Sequence, residues 1–227
     1  MRRRSLLLLA AVGLLAGCSA RRPAVAATAP PVPRNAVADD YSWFARDPDL
    51  TKGFCITWVR GLTPEQVLKR LGGQELERVG WQQLVGSGDG QQGRADRYFI
   101  GVARVGDWSL IVEDNGDLGV TDRLVGGLSL GTTVVANHHK QDGHGRFLML
   151  RDASVELDFD PVTFPKRTGS RAEELAPTIA AAGFGAGDDP NQSMLAAFAL
   201  AERLTGVAMT PELLRDHTYR LTSVPRP

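Results

Sequence analysis

Gly127-Leu128-Ser129-Leu130-Gly131 is the segment of this chain whose spacing comes nearest to a nucleophile motif. It matches the G-x-S-x-G elbow of serine hydrolases, and Asp158 and His217 follow it in the Ser–Asp–His chain order. The elbow works because a strand delivers the serine into a sharp turn and a helix leaves it. Here a polar, glycine-rich stretch precedes Ser129, and Thr132-Thr133-Val134-Val135 behind it reads as a strand. The order is reversed, so the sequence assigns no catalytic residue and keeps an envelope hydrolase only as an alternative. Cys55, the other candidate nucleophile, lies in Phe54-Cys55-Ile56-Thr57-Trp58-Val59, an apolar run in which a buried, inert thiol is expected.

Three further groups could hold a metal. His138, His139 and His144 fall within one short segment, and imidazoles bind zinc or copper. Adjacent residues on a strand point to opposite faces, however, and Lys140 adds a positive charge beside them; a solvated hairpin loop is the plainer expectation. Glu156, Asp158 and Asp160 share one face of an alternating strand, with same-side neighbours roughly 7 Å apart. They could hold calcium, but such a row is more simply the wet side of a sheet. Glu113-Asp114-Asn115-Gly116-Asp117 resembles part of a calcium loop without its distal glutamate, and Asn-Gly is first a tight-turn dipeptide. No metal ligand and no cofactor is assigned. Trp43, Trp58, Trp81 and Trp108 are expected to be core aromatics.

The strongest chemical signal is at the N-terminus. Arg2, Arg3 and Arg4 precede the uncharged apolar run Leu6 to Ala16, which is too short for a bilayer needing roughly 20 residues. Leu15-Ala16-Gly17-Cys18 then resembles a lipobox, which implies cleavage before Cys18 and acylation of that cysteine. Two or more acyl chains, palmitate among them, hold a soluble domain at a membrane where one is marginal. The expected organisation is a lipoprotein signal peptide over 1–17, an Ala/Pro-rich linker over 18–38 and a globular domain over 39–227. Arg3-Arg4-Ser5-Leu6-Leu7 also resembles a loose twin-arginine signal, so the general secretory and twin-arginine routes both stay open.

Composition narrows the partners. The chain carries 26 basic and 26 acidic residues; without Arg2, Arg3 and Arg4 the basic count is 23. That balance gives no electrostatic reason to expect nucleic acid. With Cys18 acylated, Cys55 would stand alone and no intramolecular disulfide could form, so stability must come from the core.

The elements that must position these residues can be read in outline. Strands are expected over 54–59, 98–105, 107–114, 131–138, 146–151 and 154–160. Along the last of these, Val155, Leu157 and Phe159 are expected on one side and the acids on the other. Thr63-Pro64-Glu65-Gln66 carries a capping box, closed by Gly72-Gly73. Ser170 and Glu173 suggest a second box for a helix ending at Gly183. Asp189-Pro190 opens a helix with Met194, Ala197, Phe198, Ala201 and Leu204 in one stripe, and Thr210-Pro211-Glu212 opens a last short one. Strands first and helices later predict a single α+β domain on an antiparallel sheet of about five to six strands, packed with C-terminal helices.

Several segments in this order are shared with one group of proteins: Asp40-Tyr41-Ser42-Trp43, Phe54 to Glu65, Trp108 to Gly116, Leu128 to Thr132, Phe159-Asp160-Pro161 and Ala201 to Val207. From roughly Asp39 to Thr222 the chain resembles an uncharacterised domain family of high-GC Gram-positive bacteria. The resemblance implies one domain and a Gram-positive-type envelope, and it carries no established activity or site residue. The expectation is a lipoprotein anchored through Cys18 at the extracytoplasmic face of the cell membrane. Its domain would be a non-enzymatic binding module for a protein or envelope component; the alternatives are an envelope hydrolase and a metal-binding protein.

Overall fold

A computed structural model describes residues 35–85, 96–140, 142–185 and 190–227. The signal segment, Cys18 and the linker as far as Arg34 lie outside the described residues, as do Asp189 and Gln141. The described residues form one compact unit.

The unit is built on one antiparallel sheet. Its strands are β1 (Gly53–Arg60), β2 (Gln74–Val79), β3 (Arg97–Val105), β4 (Trp108–Asp114), β5 (Thr133–Lys140), β6 (Gly145–Arg151), β7 (Ser154–Phe159), β8 (Arg167–Thr168) and β9 (Tyr219–Pro225). They lie in the order β2-β9-β3-β4-β1-β5-β6-β7-β8. The fold is α+β as expected, but the sheet has nine strands rather than five or six. The three additions are β2, β8 and β9. β2 is the polar string Gln74-Glu75-Leu76-Glu77-Arg78-Val79, exposed along all but its last residue. Its amphiphilicity carries no period, because an outer edge strand buries little. β8 has only two residues.

β1 is the central strand, and both of its faces are covered. Phe54, Ile56 and Trp58 point to the larger core, under α4 (Ala176–Ala182) and α5 (Pro190–Thr205). Ala36, and Ala38 at the start of the first 3-10 turn (Ala38–Tyr41), are buried in the same core. The helix α5 is hydrophobic nearly all round, with every residue from Met194 to Glu202 buried, as a helix enclosed by its neighbours requires. On the opposite face, Val59 packs with β3, β4 and β5 residues such as Ile100, Ile111 and Val134. These lie under Val67, Leu68 and Leu71 of α1 (Pro64–Leu71) and Leu128 of α3 (Asp122–Leu128). Trp58, Trp81 and Trp108 are buried; Trp43 is half-buried against Phe44. No described helix is long and apolar enough to cross a membrane.

Local grammar explains most element ends. The Thr63 hydroxyl accepts from Gln66 N–H at 3.3 Å while Gln66 Oε1 accepts from Thr63 N–H at 2.8 Å, and Gly72 closes α1 at φ +62°. Thr210 likewise caps α6 (Pro211–Arg215) through Leu213 N–H. The expected Ser170/Glu173 box does not form. Ser170 Oγ turns to Val155 O, Glu173 pairs with Arg167, and helical geometry starts only at Ala176. β7 also departs from simple alternation. A bulge between Met149 and Leu150 of the facing strand leaves Glu156 as the extra residue, so Leu157 and Phe159 are buried while Val155 is 39 % exposed.

Candidate functional site

The sheet register sets four chemically able side chains in one row on the α1/α3 face. Glu113 of β4 lies opposite Cys55 of β1, Cys55 lies opposite His138 of β5, and His138 lies opposite Arg146 of β6. Side chains directly opposite on one face are about 5 Å apart at Cβ. The row follows from strand parity. In β4 the even residues Leu110 and Val112 enter the larger core, which turns Ser109, Ile111 and Glu113 the other way.

A short turn roofs the row. β4 ends at Asp114, Asn115 takes a left-handed φ of +52°, and the chain crosses back over the sheet as a 3-10 turn, Leu118–Val120. The roof is pinned at both ends. Glu113 Oε1 accepts from Leu118 N–H at 3.3 Å and Oε2 from Gly119 N–H at 3.4 Å, while Arg146 Nη1 donates to Val120 O at 2.8 Å. Glycine is required twice by this close approach. A Cβ on Gly116 would collide with the Glu113 carboxyl, and one on Gly119 would collide with Thr57 Oγ1 and come within 2.8 Å of Cys55 Sγ. Gly119 is thus the cover over Cys55.

Burial governs the electrostatics. Glu113 is 1 % exposed, and desolvation pushes its carboxyl up to about 8; the two backbone N–H groups pull it back, and Asp117 pushes it further up. The Cys55 thiol is also pushed up, chiefly by burial and then by Glu113, so the free Cys55 is an unreactive thiol. His138 is pulled down to about 4, first by burial and then by Lys140, with Asp117 opposing. Its Nε2 and Asp117 Oδ1 are both buried and meet no hydrogen-bond partner among the described residues. At neutral pH the row therefore holds a protonated carboxyl, a thiol, a neutral imidazole and the Arg146 guanidinium, without an accessible nucleophile.

The residues singled out in the sequence fall elsewhere. Ser129 is fully buried at the end of α3; its Oγ donates to Gly126 O and accepts from Ala153 N–H, both at 3.0 Å. A helix precedes it and β5 follows, the reverse of a nucleophile elbow. Asp158 forms a two-pronged ion pair with Arg146 at 2.8–2.9 Å, and His217 Nδ1 meets Leu213 O at 2.7 Å, so no bond joins the three. His138, His139 and His144 are not brought together: His138 joins the row, His139 packs on Phe54 across the sheet and His144 is exposed in the turn. Glu156 is 8 % exposed and held by Arg151 and Arg171, so it is no part of a wet face; Asp160 caps Val162 N–H. Among the described residues no three His, Cys, Asp or Glu side chains group as a metal would require.

Glu113 is the residue sequence reasoning missed. It stood in the acidic run of a turn, whereas the unbroken strand Trp108-Ser109-Leu110-Ile111-Val112 carries it into the core. The signal available was parity with Ile111, together with two glycines, Gly116 and Gly119, within six residues.

The chain belongs to the Family of unknown function (DUF6461), which matches residues 34–227. No curated protein and no solved structure is significantly similar to it.

Proposed function

We propose that the protein is an exported lipoprotein held at the extracytoplasmic face of the cell membrane by acyl chains on Cys18. Its α+β domain is a non-enzymatic module that binds a protein or an envelope component. The anchor reading rests on Leu15-Ala16-Gly17-Cys18 behind the Arg2–Arg4 and Leu6–Ala16 segments. The binding reading rests on one observation: the side chains best suited to hydrolysis are spent on the fold, with Ser129 fully buried between Gly126 O and Ala153 N–H.

Ser129→Ala separates a fold residue from a nucleophile. The variant is expected to lose about 1–3 kcal/mol of stability, because a buried hydroxyl that both donates and accepts is removed. Full-length protein and variant, run side by side on a panel of ester, amide and glycoside substrates, should show no turnover that depends on Ser129. Turnover by the wild type that Ser129→Ala abolishes would overturn the proposal.

A further inference from the structure

We infer that the Asn115–Thr121 turn is a proton-operated cover, held over Cys55 and Thr57 while Glu113 carries its proton and released when that proton is lost. The geometry has the parts such a device needs. Leu118 is fully buried in the core on this face, and the turn's described polar side-chain clamps on the sheet are Glu113 on the amides of Leu118 and Gly119, Arg146 on Val120 O, and Tyr98 OH with Thr121 Oγ1 at 3.0 Å. Of these, only Glu113 combines full burial with a charge that changes near neutrality. Arg146 is held charged by Asp158 and Asp122. Tyr98 is raised, chiefly by burial, and stays neutral throughout this range.

The groups around Glu113 set the direction of the response. From β1 it faces the Cys55 thiol and, beside it, Thr57; from the turn itself it faces Asp117. Behind Cys55 stands His138, which feels Lys140, His139, Asp142 and Asp117. Arg226 lies over the Tyr98 ring at 4.1 Å. The strongest influences on Glu113 from the described residues include no cation, so an ionised Glu113 would be a buried charge compensated mainly by two long amide bonds and the Cys55 thiol. Lifting the turn hydrates that charge. Opening therefore releases a proton across the interval between an ordinary carboxyl and the closed one, from about 4.5 to about 8. It also exposes Thr57 and Cys55, which Gly119 covers.

The test is hydrogen exchange at the Leu118 and Gly119 amides of the full chain, corrected for intrinsic rates. One proton released per opening makes protection fall tenfold per pH unit. Protection of these two amides is expected to fall about fifteenfold from pH 6.5 to pH 8, since Glu113 is half-ionised at the upper end, and to stay below that of the β1–β4 ladder amides, which open only with the whole domain. In Glu113→Gln the same amides should show no such fall. Should that variant fail to fold, the Glu113 carboxyl carbon can be titrated by NMR in the wild type, with a midpoint above neutrality expected. Protection that stays level in the wild type, an equal fall in Glu113→Gln, or an ordinary acidic midpoint for Glu113 would overturn the inference.

Discussion

Replacing Phe198 by alanine is expected to destabilise the domain by about 3–5 kcal/mol, the range for truncating a buried aromatic. Phe198 is 1 % exposed, midway along a helix buried on nearly all sides. Its ring meets Phe44 at 4.6 Å, Phe54 at 5.2 Å and Tyr41 at 5.6 Å between centroids. It therefore joins the central strand, the N-terminal turns and α5 in one contact. Collapse around the cavity is limited, because Tyr41 is itself fixed: its hydroxyl donates to Glu202 Oε2 at 2.7 Å and accepts from Met209 N–H at 3.3 Å. For a domain of this size the loss corresponds to a fall in Tm on the order of 10 °C. Thermal unfolding of the variant beside wild type reads it directly; a change below about 1 kcal/mol would contradict the packing described.

The second large effect is on the pH dependence of stability, and Glu113 and His138 set its sign. A carboxyl raised in the fold from 4.5 to about 8 gives stability that is full below pH 4.5 and lost as pH climbs toward 8. A buried histidine lowered from 6.5 to about 4 acts oppositely, giving stability that is full above pH 6.5 and lost as pH falls below it. His139 is lowered too, by burial, and adds to the acid side. Between pH 4.5 and 6.5 the contributions oppose one another, and solvent screening trims those of the histidines. Above 6.5 Glu113 acts alone among them, at about 1.4 kcal/mol per pH unit. Stability should therefore peak near pH 6.5 and decline by ~2 kcal/mol by pH 8. Glu113→Gln should remove that decline, at a loss of about 1 kcal/mol from one amide–amide mismatch. Denaturant unfolding at a series of pH values measures both; a wild-type curve that stays level or rises from pH 6.5 to 8 would contradict the assignment.

How much of this was legible in the sequence depended on where each residue's partners lie along the chain. The capping grammar of Thr63, Gln66 and Gly72 is local and was read correctly; so were the strands with long apolar runs. β2 was missed because an edge strand with five exposed residues has no buried face to impose a period. Val155 was misplaced because a bulge is set by the facing strand. Ser170 and Glu173 have the spacing of a box, yet each found a distant partner in Val155 and Arg167. The polar row was the least visible. Glu113, Cys55, His138 and Arg146 come from four strands, and only the pairing register aligns them. The motif that did look chemical, around Ser129, proved to be a helix end tied to the next hairpin.

The anchored state is the premise of the proposed function, and intact mass with membrane fractionation of the native protein beside Cys18→Ala tests it most directly. The account predicts a lipid-sized mass gain and membrane retention in the wild type, both lost in the variant. A wild type that fractionates as soluble, cut elsewhere or carrying no lipid, would contradict it.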